Sequence, residues 1–116
     1  MKVYCYSRCS TCKKALKWLD EHQVSYELVD IKENNPDQQK LKDYYAKGKL
    51  ALKKFFNTSG MQYRALGLKD KLKEMSEEEQ FDLLASDGML VKRPLVVGKD
   101  FVLLGFNQEE WAEKLL

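Results

Sequence analysis

The stretch KVYCYSRCSTCKKALKWL, residues 2–19, joins two different periodicities. Its first part, Lys2 to Tyr6, is rich in β-branched and aromatic residues and predicts a strand. From Cys12 the apolar positions change spacing: Cys12, Ala15, Leu16 and Leu19 fall on one face of a helix. SYELVDI, residues 25–31, follows with Tyr26, Leu28 and Asp30 alternating against Glu27, Val29 and Ile31, a second strand. A strand, a helix and a strand in close succession predict a parallel βαβ unit.

Beyond this opening the chain reads as helical. Asn35 is the expected N-cap of a helix with Pro36 in its first turn, an apolar face of Leu41, Tyr44 and Tyr45, and a stop at Gly48. LALKKFFN (50–57) predicts a short helix, and TSGMQYRALGL (58–68) a turn and a helical piece. Ser76 with Glu79 forms a capping box for a helix through Phe81, Leu83 and Leu84 that ends near Gly88. RPLVV (93–97), GKD (98–100) and FVLLGF (101–106) read as strand, tight turn and strand. Asn107 then caps a last helix, with Glu110 three residues on and Trp111 and Leu115 facing inward. The expected architecture is one α/β domain over residues 1–116, βαβ then ββα, in the thioredoxin/glutaredoxin arrangement. A helical insertion at about 36–90 separates the halves.

Composition narrows the function. With 20 Lys and Arg against 18 Asp and Glu, the net charge of +2 offers no electrostatic footprint for direct nucleic-acid binding. The apolar runs are too short to cross a bilayer, and the N-terminus lacks an apolar run of signal-peptide length, so a cytosolic location is expected. In a reducing cytosol, close thiols are more often catalytic, redox-sensing or metal-binding than structural.

Cys9 falls at the N-terminal edge of the first helix and Cys12 in its first turn. Residues three apart on a helix lie roughly 5–6 Å from one another, a separation that suits a disulfide. Open amides at the helix end and the cations Arg8, Lys13 and Lys14 favour a thiolate there, and no acid follows until Asp20. Cys9 is therefore the expected nucleophile and Cys12 the resolving thiol. Other readings of the pair stay open. Two small cysteines can pack at a strand–helix junction by chance. A zinc site would need Cys5 and His22 as further ligands, yet His22 stands at the far end of a helix about 15 Å long. Cys5 alternates with Val3 and reads as a small buried residue. Arg93-Pro94 is the second feature: in a thioredoxin-like fold, a proline that is often cis starts the strand beside the active cysteines. Arg93 can steady a thiolate or an anion. Ser10, Thr11, Arg93 and Pro94 are the expected substrate-binding residues.

The segments YSRCSTCKKALKWL, FFNTSG, LGLKDKL, SDGMLVKRPLVV and LLGFNQEE, in that order, resemble the ArsC/Spx family of glutaredoxin-like proteins over nearly the whole chain. The resemblance implies a cytosolic thiol–disulfide redox protein without a bound cofactor. Glutathione, a glutaredoxin or thioredoxin would return electrons to it. The reductase branch of that family uses one cysteine, matching Cys9, and three arginines for arsenate. Arg93 matches one of these; the others fall at Asn57 and Gly105, and Arg64 is near enough in the chain to replace the first. Cys12 is foreign to the reductase pattern. The Spx branch carries both cysteines and the Arg-Pro corner, binds the RNA polymerase α subunit near a position that falls at Gly48, and is switched by oxidation. The chain ends at Leu116 directly after its last expected helix, so the tail of such regulators is not expected.

Overall fold

The computed structural model describes all of residues 1–116. Four short strands, β1 (Lys2–Cys5), β2 (Glu27–Asp30), β3 (Leu95–Val97) and β4 (Val102–Leu104), form one sheet in the order β2-β1-β3-β4. β1 runs parallel to β2 and antiparallel to β3, which is antiparallel to β4. The parallel pair is joined by α1 (Ser10–Glu21), the crossover that parallel pairing demands. The tight turn between β3 and β4 is closed by Gly98 N–H donating to Phe101 O at 2.9 Å. This is the thioredoxin-like arrangement that the element order predicts.

Because side chains alternate along a strand, β1 contributes to two cores. Val3 and Cys5 pack with Ala15, Trp18 and Leu19 of α1 and with Trp111 of α6 (Gln108–Leu115). The Trp111 indole N–H donates to Gly105 O at 3.1 Å, and its ring meets those of Trp18 and Phe106 edge-on. Tyr4 points the opposite way, into the helical insertion, where its hydroxyl bonds that of Tyr44 at 2.9 Å. Those helices are α2 (Gln38–Gly48), α3 (Met61–Ala65), α4 (Leu68–Lys71) and α5 (Glu77–Ser86), with a 3-10 turn at Leu52–Phe55. The capping box of α5 forms as its sequence requires.

The start of α2 differs from expectation. Asp37, not Asn35, is its N-cap, accepting the Lys40 N–H at 2.9 Å. Asn35 turns away and donates from Nδ2 to Ala85 O, tying the entry of the insertion to the end of α5. A residue offering the same capping chemistry two positions later takes the role when tertiary bonding occupies the first.

The return from insertion to sheet is tight. Gly88 lies against Ile31, the residue after β2, and a Cβ at Gly88 would stand 2.0 Å from Ile31 O. Gly88→Ala should therefore lower stability by about 1–3 kcal/mol through forced backbone displacement. A reduced urea midpoint with unchanged slope would show it.

Candidate active site

Cys9 is the N-cap of α1, in extended conformation with φ −87° and ψ 117°. Its sulfur takes the place that Ser or Asp usually fills, accepting the Cys12 N–H at 3.5 Å. The first turn holds no acidic residue, so no side chain competes for the helix end. Cys9 N–H donates to Tyr6 O at 3.0 Å, which fixes the loop from β1 into the helix. Cys9 is half-buried, whereas Cys12 retains 1% exposure and lies behind it in the core.

Cys9 opens into a cavity of about 510 Å³ whose walls include Thr11, Asn57, Ser59, Gly60, Lys92, Arg93 and Gly105. The walls are brought together by backbone bonds between distant segments. Phe56 and Val91 form an antiparallel bridge, Asn57 N–H donates to Leu90 O, and Lys92 N–H donates to Phe55 O, both at 2.8 Å. The Arg93–Pro94 bond is cis, as the thioredoxin-like pattern predicts. Pro94 itself is buried, and its carbonyl accepts the Gly105 N–H at 2.9 Å. Gly105 has φ +76°, a conformation a side chain adopts only with strain. An arginine at this position would oppose the local backbone.

Arg93 sits over the Tyr6 ring at 5.5 Å and donates to Met89 Sδ at 3.7 Å. Its Nε is buried and has no partner. An unpaired guanidinium N–H beside a half-open thiol is unusual, because buried donors are nearly always satisfied.

The three cysteines are free and belong to one apolar cluster. Hydrogen bonding from the Cys5 thiol is the largest influence on Cys12. Bonds from the Tyr6 backbone and the Cys9 side chain and the charge of Arg93 act in the same sense. Against the cost of burial they pull Cys12 down to about 6. Cys5 is pushed strongly upward, first by that same bond and then by burial. The same bond thus lowers Cys12 and raises Cys5.

The structure therefore joins Cys9, Thr11 and Arg93 around one opening, with Cys12 directly behind. Ser10 faces solvent at the first helical position and is not part of the wall. Arg64 is exposed on α3 and does not line the cavity either. Asn57 and Gly105 do line it, so the positions that the family resemblance pairs with arginines stand at the mouth. Lys92, Ser59 and Met61 were not legible in the sequence. Lys92 neighbours Arg93, but its place on the wall depends on the bridge to the insertion. Met61 is 86% exposed at the rim.

The family model described as the ArsC family matches residues 4–114. The chain belongs to the ArsC family. YusI of Bacillus subtilis is 53% identical over 113 residues, covering 97% of this chain and 96% of its own. The crystal structure of an ArsC family related protein from Bacteroides fragilis superposes with a TM-score of 0.94 at 50% identity, over 97% of this chain and 94% of that one. The global transcriptional regulator Spx 2 of Bacillus cereus is 26% identical over 93% of this chain and 81% of its own.

The bonding around Cys12 has a direct optical consequence. Ultraviolet thiolate absorbance of the reduced protein should rise as pH increases through about 6. The step should vanish in Cys12→Ser and move to higher pH in Cys5→Ala, which removes the largest stabilising bond. In denaturant it should return to about 8.5, the value of a free thiol. A step that survives in Cys12→Ser would refute the assignment.

Proposed function

We propose that this ArsC-family chain is a thiol–disulfide oxidoreductase in which Cys9 attacks and Cys12 resolves. The observation that carries the reading is the order of the two cysteines: Cys9 faces an open cavity, and Cys12 is buried behind it with its amide donating to Cys9 sulfur at 3.5 Å. The Cys9 thiolate attacks one sulfur of a substrate disulfide, and the other substrate sulfur leaves as a thiolate. Cys12, whose thiol is pulled downward by its bonding partners, then attacks Cys9 Sγ as a thiolate. The second substrate thiol departs, and a Cys9–Cys12 disulfide remains. An external thiol, such as glutathione or the dithiol of a glutaredoxin or thioredoxin, restores the reduced pair by two further exchanges. Arg93, whose side chain lines the cavity beside Cys9, bonds the developing thiolate or an anionic group of the substrate, such as a glutathione carboxylate.

Arsenate is a poorer fit for this cavity. A tetrahedral oxyanion is held best by several fixed charged donors, and Asn57 and Gly105 occupy the positions that the resemblance pairs with two of the three arginines. Losing each charged hydrogen bond costs about 1.5–3 kcal/mol. The remaining donors are Arg93, Lys92 and the amides of the helix end, enough for weak anion binding.

A second reading is favoured by the likeness to Spx 2: the same pair of cysteines acts as a switch, and oxidation alters a surface that binds the RNA polymerase α subunit. Turnover separates the two. The enzyme reading expects continuous reduction of a small disulfide such as hydroxyethyl disulfide with glutathione. The switch reading expects a single oxidation event and pull-down of the α subunit that depends on redox state.

Steady-state kinetics should show no turnover for Cys9→Ser, and Cys12→Ser should accumulate a mixed disulfide at Cys9 visible as an intact-mass adduct. Arg93→Ala should lower kcat/KM roughly ten- to a hundredfold, the equivalent of one charged hydrogen bond. Arsenate turnover should be slower than disulfide reduction by orders of magnitude. Efficient arsenate reduction, or an unaffected Cys9→Ser, would overturn the reading.

A further inference from the structure

Cys5 ends β1 on the face that meets α1, and Cys12 is the third residue of α1, facing back toward the sheet. The two thiols belong to the same buried cluster, and the Cys12 amide donates to Cys9 sulfur at 3.5 Å. A second cavity, of about 410 Å³, opens onto Cys5 and Cys12 but not onto Cys9. Tyr6, Ser7, Leu16 and Leu28 form most of its remaining wall. It is separate from the opening that holds Cys9, Thr11 and Arg93.

We infer that Cys5 is a third redox thiol, which exchanges with the Cys9–Cys12 disulfide to form Cys5–Cys12 and returns Cys9 as a free thiol. The inference rests on the Cys9–Cys12 chemistry proposed above and extends it. Cys5 sulfur attacks Cys12 sulfur; the S–S bond between Cys5 and Cys12 forms as that between Cys9 and Cys12 breaks. Cys9 leaves as a thiolate into the position where the Cys12 amide donates to it, and takes up the proton that Cys5 gives up. One disulfide and one thiol are present before and after, so no further oxidant or reductant is consumed.

Electrostatics make the exchange conditional. In the reduced protein Cys5 holds its proton chiefly because of its bond to Cys12. Once Cys12 enters a disulfide, that bonding partner loses its charge and the main restraint on Cys5 is removed. Exchange needs the Cys9–Cys12 disulfide as its partner and so follows the first oxidation. The product keeps the oxidising equivalents in the core, under the second cavity, while Cys9 becomes available for another substrate.

The sequence makes the outcome readable. Trypsin cleaves after Lys2, Arg8 and Lys13, so Cys5 lies in peptide 3–8 while Cys9 and Cys12 share peptide 9–13. Full-length protein is oxidised with substoichiometric diamide, alkylated in denaturant after increasing delays, digested and analysed by mass spectrometry. The expected result is a looped 9–13 peptide that gives way to a 3–8/9–13 cross-link with alkylated Cys9. In Cys5→Ala the looped peptide should persist and alkylated Cys9 should be lost from the oxidised fraction. Cys9→Ser should form the 3–8/9–13 cross-link directly, which tests the contact without dependence on the first disulfide or on the folding of Cys5→Ala. A looped peptide that persists in the wild type, with Cys5 alkylated throughout, would overturn the inference and leave the Cys9–Cys12 reading intact. No cross-link in Cys9→Ser would also overturn it. A cross-link in Cys9→Ser without any looped peptide in the wild type would overturn the exchange and the Cys9–Cys12 reading together.

Discussion

The two-sided burial of β1 is the constraint on which the rest of this molecule depends. A central strand whose alternate residues face opposite ways must be covered on both sides. Val3 and Cys5 require α1 and α6; Tyr4 requires the insertion. That division brings the start of α1 down onto the end of β1, and so sets the Cys9 and Cys12 sulfurs beside Cys5. It also buries the Tyr4 hydroxyl, which is satisfied by Tyr44, and burial pushes the Tyr4 phenol upward. An unsatisfied hydroxyl in this place would cost about 1–3 kcal/mol. The insertion is thus anchored to the sheet by a polar bond as well as by apolar contact.

The insertion does more than cover a face. By bridging Phe56 to Val91 it brings Asn57, Ser59 and Gly60 opposite the cysteine helix and converts an exposed helix end into a walled opening. Charge in that opening is one-sided: Arg93 and Lys92 line it without an acidic neighbour on the wall. The arrangement favours anionic sulfur and anionic substrates, since nearby cations stabilise the charged form of a thiol. Three sulfurs in one apolar cluster cannot all ionise. Their mutual influence pulls Cys12 downward and pushes Cys5 upward.

Much of this was legible locally. The strands, α1, the capping box at Ser76 and Glu79, the Asn107 cap and the βαβ–ββα order follow from periodicity and end signals that act within a few residues. The cis Arg93–Pro94 bond was expected from the pattern of a fold rather than from the residues alone. The start of α2 was misread because Asn35 and Asp37 offer the same capping chemistry, and the choice was made by Ala85, fifty residues away.

By itself the sequence determined the element order, the thiol pair at a helix end free of acids, and the family. These depend on short-range backbone preferences and on motifs contiguous in the chain. Tertiary structure alone decided that Cys5 and Cys12 share a cavity wall, that Lys92 and Asn57 share a wall with Cys9, and that Arg93 Nε is left unpaired. Each of these depends on the registration of one element against another. That registration is set by the packing of two whole cores on either side of β1, not by any property of the residues concerned.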